Sequence, residues 1–167
     1  TVFSPVAELT PDELLRATRV TYLGQAHGMM AALRRMRARR RGTIVNVGSA
    51  LTYRSVPLQA AYCGAKAAIR GFTDSLRSEI IHDCLDIQLT MVHLPAVNTP
   101  QFDWSLNKMH QMARPVAPIF EPEVAARAIH FGATHRRREI WVGFSTVKAI
   151  IGNWLAPGLL DRFLARA

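Results

Sequence analysis

A tyrosine and a lysine one helical turn apart are the residues of this sequence best suited to proton chemistry. Tyr62 and Lys66 are four positions apart, so on a helix they share one face. A tyrosine hydroxyl, with an ordinary pKa near 10, moves protons poorly at neutral pH unless its anion is favoured. A neighbouring ammonium and a place near a helix N-terminus both favour that anion. Ser49 could hold a substrate oxygen against the tyrosine, so the three residues predict general acid/base chemistry on an alcohol or carbonyl.

A strand followed by a helix is predicted to position these three residues. A capping box at residues 10–13 starts a long first helix, which we expect to end near Arg41 with Gly42 as its C-terminal stop. The β-branched run 43–48 predicts a strand covered on both faces, with the serine at its carboxyl end. A second long helix, over about 59–84, then carries the tyrosine and the lysine near its start.

The same alternation of helices and strands continues to the end of the chain. The expected elements are a strand at 87–92, a mobile segment at 101–119 with one or two short helices, a helix from Pro122 to about 133, a strand at 139–142, and one or two short helices over 145–167. This order implies a parallel sheet flanked by helices. We therefore predict one α/β domain over residues 1–167, a partial Rossmann-like sheet of about three strands whose carboxyl ends form the binding crevice.

Three segments of the sequence resemble the short-chain dehydrogenases/reductases. They are residues 42–49 (GTIVNVGS), 62–66 (YCGAK) and 71–79 (GFTDSLRSE), and the resemblance extends from about Val6 to Val142. It implies an oxidoreductase that interconverts an alcohol and a ketone or aldehyde with NAD or NADP. In such an enzyme Tyr62 would be the catalytic acid/base. Lys66 would lower its pKa and bind the nicotinamide ribose, and Ser49 would orient the substrate.

The resemblance also assigns roles outside these three segments. Pro95 opens a loop that looks like the family's Pro-Gly loop, so the Val97 backbone and the Thr99 hydroxyl would contact the nicotinamide carboxamide. Residues 101–119 would form a substrate lid, which suggests an apolar or alicyclic alcohol or ketone. The two long helices usually form the dimer interface of this family, so we expect a homo-oligomer.

Three features depart from the family pattern. Thr21 stands where the family usually has an asparagine that holds a water of the proton relay, and Ala96 replaces a glycine, which matters only if that position needs a positive φ. The Gly-rich phosphate loop is absent from these 167 residues, because the glycines at 24–28 fall inside a helix. We therefore expect a catalytic portion that by itself binds NAD(P) weakly. The residue that chooses between NAD and NADP would lie in the missing part.

Composition narrows the remaining possibilities. The net charge is +9, concentrated at 34–41 and 136–138, but the basic runs lack interleaved aromatic residues, so they indicate solvated helix ends rather than a nucleic-acid interface. No apolar run is long enough to span a membrane, and the first residues lack a signal-peptide pattern. The six histidines lack metal-ligand spacing and are interpreted as structural or surface residues.

The two cysteines indicate the compartment. Cys63 and Cys84 are expected on one helix roughly 30 Å apart, too far for a disulfide, which favours a cytoplasmic protein. Two other functions remain open at this point. One is a truncated, non-catalytic module for oligomerisation or interaction, and the other, weaker one is nucleic-acid binding through the arginines at 34–41.

Overall fold

Helices and strands alternate along residues 1–166, the part that the computed structural model describes. The strands are β1 (Val2–Phe3), β2 (Arg41–Ser49), β3 (Asp86–Leu94), β4 (Ala96–Val97), β5 (Leu106–Asn107), β6 (Ile119–Phe120) and β7 (Glu139–Trp141). The α-helices are α1 (Pro11–Ala17), α2 (Gly24–Arg39), α3 (Ala60–His82), α4 (Pro122–Thr134), α5 (Gly143–Leu155) and α6 (Pro157–Leu164). Short 3-10 turns cover Val6–Glu8, Ala50–Thr52 and Pro100–Phe102, and a π-helical stretch covers Thr18–Leu23.

A three-stranded parallel sheet in the order β2-β3-β7 positions the site. The register places Ser49 beside Leu94 and His93 beside Trp141, so the carboxyl ends of all three strands meet at one edge of the sheet. The predicted fold class, a partial Rossmann-like parallel sheet of about three strands with flanking helices, is confirmed.

The core lies between this sheet and helices α2 and α3. Its buried members are Met29, Ile44, Leu76, Ile80, Ile87 and Leu89. Side chains on a strand alternate between faces, so odd-numbered β3 residues face these two helices. Even-numbered residues face α4, where Gly132 lies so close that an added Cβ would meet Thr90 and Val92 side-chain atoms at 3.2 and 3.3 Å. Both faces of the sheet are therefore covered, as its apolar sequence predicts.

The first long helix begins as predicted but is interrupted and ends differently. The capping box of Thr10 and Glu13 is formed, and the π-helical stretch then separates α1 from α2. Thr18 Oγ1 donates to the Leu14 carbonyl, a back-bond that bends helices. The predicted stop at Gly42 is wrong, because Arg40 takes the left-handed conformation with φ 56°. Gly42 lies in β2, where a Cβ would come within 2.3 Å of the Met36 sulfur.

The second long helix confirms its prediction except at its end. Helix α3 stops at His82, so Cys84 lies beyond it with φ 51° and not on the same helix as Cys63. Both thiols are free, Cys63 buried and Cys84 exposed. Near the C-terminus α5 ends at Leu155 and α6 begins at Pro157, so the two predicted helices are formed. None of the helices within residues 1–166 combines the length and apolarity that crossing a bilayer requires.

The segment 101–119 is tied to the rest of the fold at two points. Strand β5 pairs in parallel with β1, and Lys108 Nζ donates to a Glu13 carboxylate oxygen at 2.8 Å. Strand β6 at its far end pairs in parallel with β4. The predicted short helices are therefore replaced, apart from the end of one 3-10 turn, by short strands. Pairing with neighbouring strands satisfies the backbone polar groups of this segment.

Candidate active site

Ser49 is fixed at the carboxyl end of β2 by its own cap. Its Oγ accepts a hydrogen bond from the Leu51 backbone N–H at 3.1 Å, and its backbone N–H donates to Thr52 Oγ1 at 3.2 Å. A hydroxyl carries one donor and two acceptor positions. This cap uses only one acceptor position, so the Ser49 hydroxyl hydrogen stays available for a substrate oxygen.

Tyr62 and Lys66 share one face in the first two turns of α3, as their spacing predicts. The Lys66 Nζ lies 5.8 Å from the centre of the Tyr62 ring. It donates a hydrogen bond of 2.8 Å to the Val47 carbonyl oxygen of β2. Only 7% of Lys66 is exposed, and this burial lowers the pKa of its ammonium to about 8. The lysine is therefore partly deprotonated in mildly alkaline solution.

The pKa of Tyr62 is raised rather than lowered in this structure. Burial of the ring is the largest cause, and the neighbouring Cys63 thiol also raises it. A side-chain interaction with Ser49 acts in the opposite direction and lowers it. Lys66 is not among the groups that shift this pKa, although its ammonium lies 5.8 Å from the centre of the ring.

Thr21 lies half-buried in the π-helical stretch, which packs against α3. Within residues 1–166 no hydrogen bond joins it to Ser49, Tyr62 or Lys66. Gln25, one helical turn further on, instead donates to the Val47 carbonyl at 3.1 Å, the same oxygen that the lysine contacts. Gln25 was not among the residues predicted from the sequence, where its only signal is its place one turn after Thr21.

The predicted nicotinamide loop follows β3 directly. Pro95 and Val97 are half-buried, and Val97 is held in register by the pairing of β4 with β6. Thr99 is exposed at the start of the 3-10 turn. Ala96 does not have a positive φ, so an alanine in place of the family's glycine causes no backbone strain here.

A buried polar cluster, defined here as His93, Glu139, Tyr53 and Trp141, lies behind Ser49. The His93 ring is fully buried, with Nδ1 3.1 Å from the Ser49 carbonyl oxygen and Nε2 3.4 Å from Glu139 Oε2. That carboxylate oxygen also accepts hydrogen bonds from the Tyr53 hydroxyl at 2.6 Å and Trp141 Nε1 at 3.0 Å. From the sequence, His93 is predicted only as a structural or surface residue.

The electrostatics of the buried polar cluster follow from these contacts. Burial alone would raise the pKa of Glu139, but hydrogen bonds from His93, Tyr53 and Trp141 outweigh it and lower the pKa to about 2. Burial and the nearby carboxylate raise the pKa of Tyr53 to about 12. The cluster therefore contains a carboxylate and a neutral phenol at neutral pH. Among the described residues no group of three His, Cys, Asp or Glu side chains could hold a metal ion.

Comparison with known proteins identifies relatives for most of the chain. The sequence model of the short chain dehydrogenase family matches residues 1–110. An uncharacterized oxidoreductase of Bacillus subtilis, YxnA, is 28% identical over 166 residues, 98% of this chain and 47% of that protein. An uncharacterized oxidoreductase of Mycobacterium bovis is 30% identical over 152 residues, 91% of this chain and 42% of that protein. The chain thus spans about half the length of these curated relatives.

Two solved structures share the fold. A short chain dehydrogenase from Burkholderia cenocepacia, crystallised in complex with NADP, superposes with a TM-score of 0.78 at 21% identity, covering 97% of this chain and 63% of that one. A short-chain dehydrogenase from Streptomyces avermitilis superposes with a TM-score of 0.74 at 23% identity, covering 99% and 63%. At these identities the likeness concerns the fold.

Proposed function

This chain belongs to the short-chain dehydrogenase family, and from that premise we propose that it is the catalytic portion of an NAD(P)-dependent oxidoreductase. The proposed reaction interconverts an alcohol and a ketone or aldehyde, with Tyr62 as the acid/base. One observation carries the proposal: Tyr62 and Lys66 share a face of α3, and the lysine binds the Val47 carbonyl of β2, two residues before Ser49 at the end of that strand.

The residues beside α3 suit a polar ligand such as the nicotinamide ribose. Lys66 Nζ has three N–H donors, and its one hydrogen bond within residues 1–166 goes to the Val47 carbonyl, which leaves two donors for ribose hydroxyl oxygens. The amide nitrogen of Gln25 donates to the same Val47 carbonyl, and its amide oxygen Oε1 is buried without a hydrogen-bond partner in the described part of the chain. Tyr62 and Lys66 would hold the ribose, while Pro95, the Val97 backbone and the Thr99 hydroxyl would face the carboxamide.

The proton chemistry then follows from the side chains. The bound nicotinamide supplies or accepts the hydride at the substrate carbon. In the reducing direction, the Tyr62 hydroxyl gives its proton to the substrate carbonyl oxygen, and the Ser49 hydroxyl donates a hydrogen bond to the same oxygen. Lys66, when charged, stabilises the resulting phenolate. In the oxidising direction the phenolate takes the proton back. Thr21 would contribute through a hydrogen-bonded water.

Substrate, assembly and location are proposed from the same family premise. Residues 101–119, anchored at β5 and β6, would cover the substrate, and their exposed apolar side chains at Trp104, Met109 and Met112 suit an apolar or alicyclic compound. Helices α2 and α3 would form a homo-oligomer interface. The two free thiols are compatible with a cytoplasmic location.

Replacing Tyr62 with phenylalanine tests the proposal. The dehydrogenase rate of the longer protein that carries this chain should fall by about 10²- to 10⁴-fold, because the variant keeps the ring and loses only the proton-carrying hydroxyl. Tyr22→Phe is the matched control, since Tyr22 packs edge-on against Phe72. Oxidation of NAD(P)H or reduction of NAD(P)⁺ with alicyclic ketones or alcohols is measured by absorbance. Equal rates in wild type and Tyr62→Phe would refute the role of Tyr62.

A further inference from the structure

We propose that His93 is a positioning residue whose Nδ1–H donates a hydrogen bond to the Ser49 carbonyl oxygen, and that it thereby fixes Ser49 against Tyr62. The proposal rests on the proposed function for the meaning of Ser49 and Tyr62. Its geometry stands independently of that function. The ring is fully buried where β2, β3 and β7 end together.

The protonation of the ring follows from what its two nitrogens face. Nδ1 lies 3.1 Å from the Ser49 carbonyl oxygen, which only accepts hydrogen bonds, so Nδ1 must carry a proton. Nε2 lies 3.4 Å from Glu139 Oε2 but makes no hydrogen bond within residues 1–166. That carboxylate oxygen already accepts from the Tyr53 hydroxyl and the Trp141 indole N–H, so both of its acceptor positions are occupied.

The tautomer of the ring follows from the Nδ1 contact. Without a proton on Nδ1, its lone pair would face the lone pairs of the Ser49 carbonyl oxygen, and a buried unpaired polar atom is costly. A proton on Nδ1 is therefore what makes this contact a hydrogen bond.

The surroundings of the ring are built to keep it in place. The Tyr53 ring covers it edge-on with centroids 5.1 Å apart, and from α3 the Arg70 guanidinium lies 4.3 Å from the centre of that same tyrosine ring. The charged groups that face His93 are thus Glu139 from β7 and, across the Tyr53 ring, Arg70. On β2, a Cβ at Gly48 would lie 2.8 Å from Nδ1, so the glycine leaves the space that the ring occupies.

Nitrogen NMR of the imidazole tests the Nδ1 proton without any activity. In the ¹⁵N-histidine-labelled 167-residue chain, long-range ¹H–¹⁵N spectra should show one ring whose Nδ1 carries a proton, and His93→Asn should remove that signal. A His93 ring with an unprotonated Nδ1 in the wild-type chain would overturn the hydrogen bond to the Ser49 carbonyl.

Two amide substitutions then separate positioning from packing. Asparagine places its amide N–H where Nδ1 lies and can still donate to the Ser49 carbonyl, whereas glutamine reaches toward Glu139 and leaves that carbonyl unpaired. Both variants are polar and nearly alike in size, and circular dichroism verifies their folding. In the parent dehydrogenase kcat should stay within about 3-fold in His93→Asn and fall about 10- to 100-fold in His93→Gln, with little change in the KM for the cofactor.

The ¹³Cζ shift of Tyr62 provides the readout that is independent of the proposed function. It reports the hydrogen bonding of the hydroxyl, and it should move in His93→Gln and stay at the wild-type value in His93→Asn. Unchanged Tyr62 shifts in both folded variants would overturn the positioning role even if the protein is a dehydrogenase. Conversely, a Tyr62 shift that moves in His93→Gln but not in His93→Asn, found together with an active Tyr62→Phe variant, would refute the proposed function and leave the positioning role of His93 intact.

Discussion

The two sides of Ser49 differ in how completely their polar atoms are paired. On the α3 side, Tyr62 and Lys66 keep donors without an acceptor in the described part of the chain, and both side chains have pKa values displaced by burial. On the other side, the buried polar cluster joins β2, β3 and β7 through close contacts around one carboxylate. The comparison shows how a rigid, satisfied cluster can support an adjacent site that stays ready for a ligand.

The comparison predicts that substitutions behind Ser49 cost stability and that those toward α3 cost activity. The largest stability effect is expected for Glu139→Gln, which removes the acceptor charge shared by His93, Tyr53 and Trp141. Because buried donors such as the Tyr53 hydroxyl then lose a charged acceptor, the free energy of unfolding should fall by about 3 kcal/mol. Urea unfolding followed by circular dichroism measures it.

Asp86→Asn is the matched control for that substitution. Asp86 forms an ion pair with Arg136, but the two side chains are 63% and 72% exposed. An exposed pair contributes less than about 1 kcal/mol. If the two variants lose similar amounts of stability, the buried polar cluster does not support the end of the sheet in the way that the structure indicates.

Lowering the pH should gradually remove the stability that the Glu139 carboxylate contributes. The pKa of Glu139 is lowered to about 2 from an ordinary value of 4.5, so the folded state favours its charged form. The stability that it contributes is therefore fully present above about pH 4.5 and is lost as the pH falls toward 2. The difference in unfolding free energy between wild type and Glu139→Gln should shrink over this interval. A difference that stays constant from pH 7 to pH 3 would contradict the lowered pKa.

The contrast between the two sides also explains what the sequence could predict. Ser49, Tyr62 and Lys66 belong to one strand–helix unit, where local periodicity and a family motif indicate their common location. Tyr53 and Glu139 are 86 positions apart and meet only through the register of β3 with β7. Side chains brought together by sheet register over such separations leave no periodic signal, so the buried polar cluster was not predictable.

The end of the first long helix gives a smaller example of the same limit. Glycine is the usual residue just past a helix, and Gly42 was the reasonable prediction for that role. The structure gives the left-handed position to Arg40 and uses the glycine to admit the Met36 side chain against β2. Position 42 is a glycine because of the contact between α2 and the following strand β2, and this contact cannot be inferred from the sequence preferences of helix ends.

The smallest stability effect is expected on the α3 side, for Lys66→Met at neutral pH. The methionine loses the hydrogen bond to the Val47 carbonyl but also avoids the cost of burying an ammonium, so the two changes should leave the free energy of unfolding within about 1 kcal/mol of wild type. The proposed dehydrogenase activity should nevertheless fall strongly, since the proposed ribose ligand and the cation near Tyr62 are both lost.

The pH dependence of stability separates this interpretation from simple packing. The folded chain lowers the pKa of Lys66 from 10.5 to about 8, so between these values the unfolded chain binds the proton that the folded chain releases. Wild-type stability should therefore gain a contribution from this residue as the pH rises from about 8 to 10.5 and lose it as the pH falls back. The methionine variant should lack that contribution in urea unfolding measured across the interval. If both proteins show the same profile, the ammonium is not buried against β2 in solution, and the α3 side of Ser49 is more open than the structure shows.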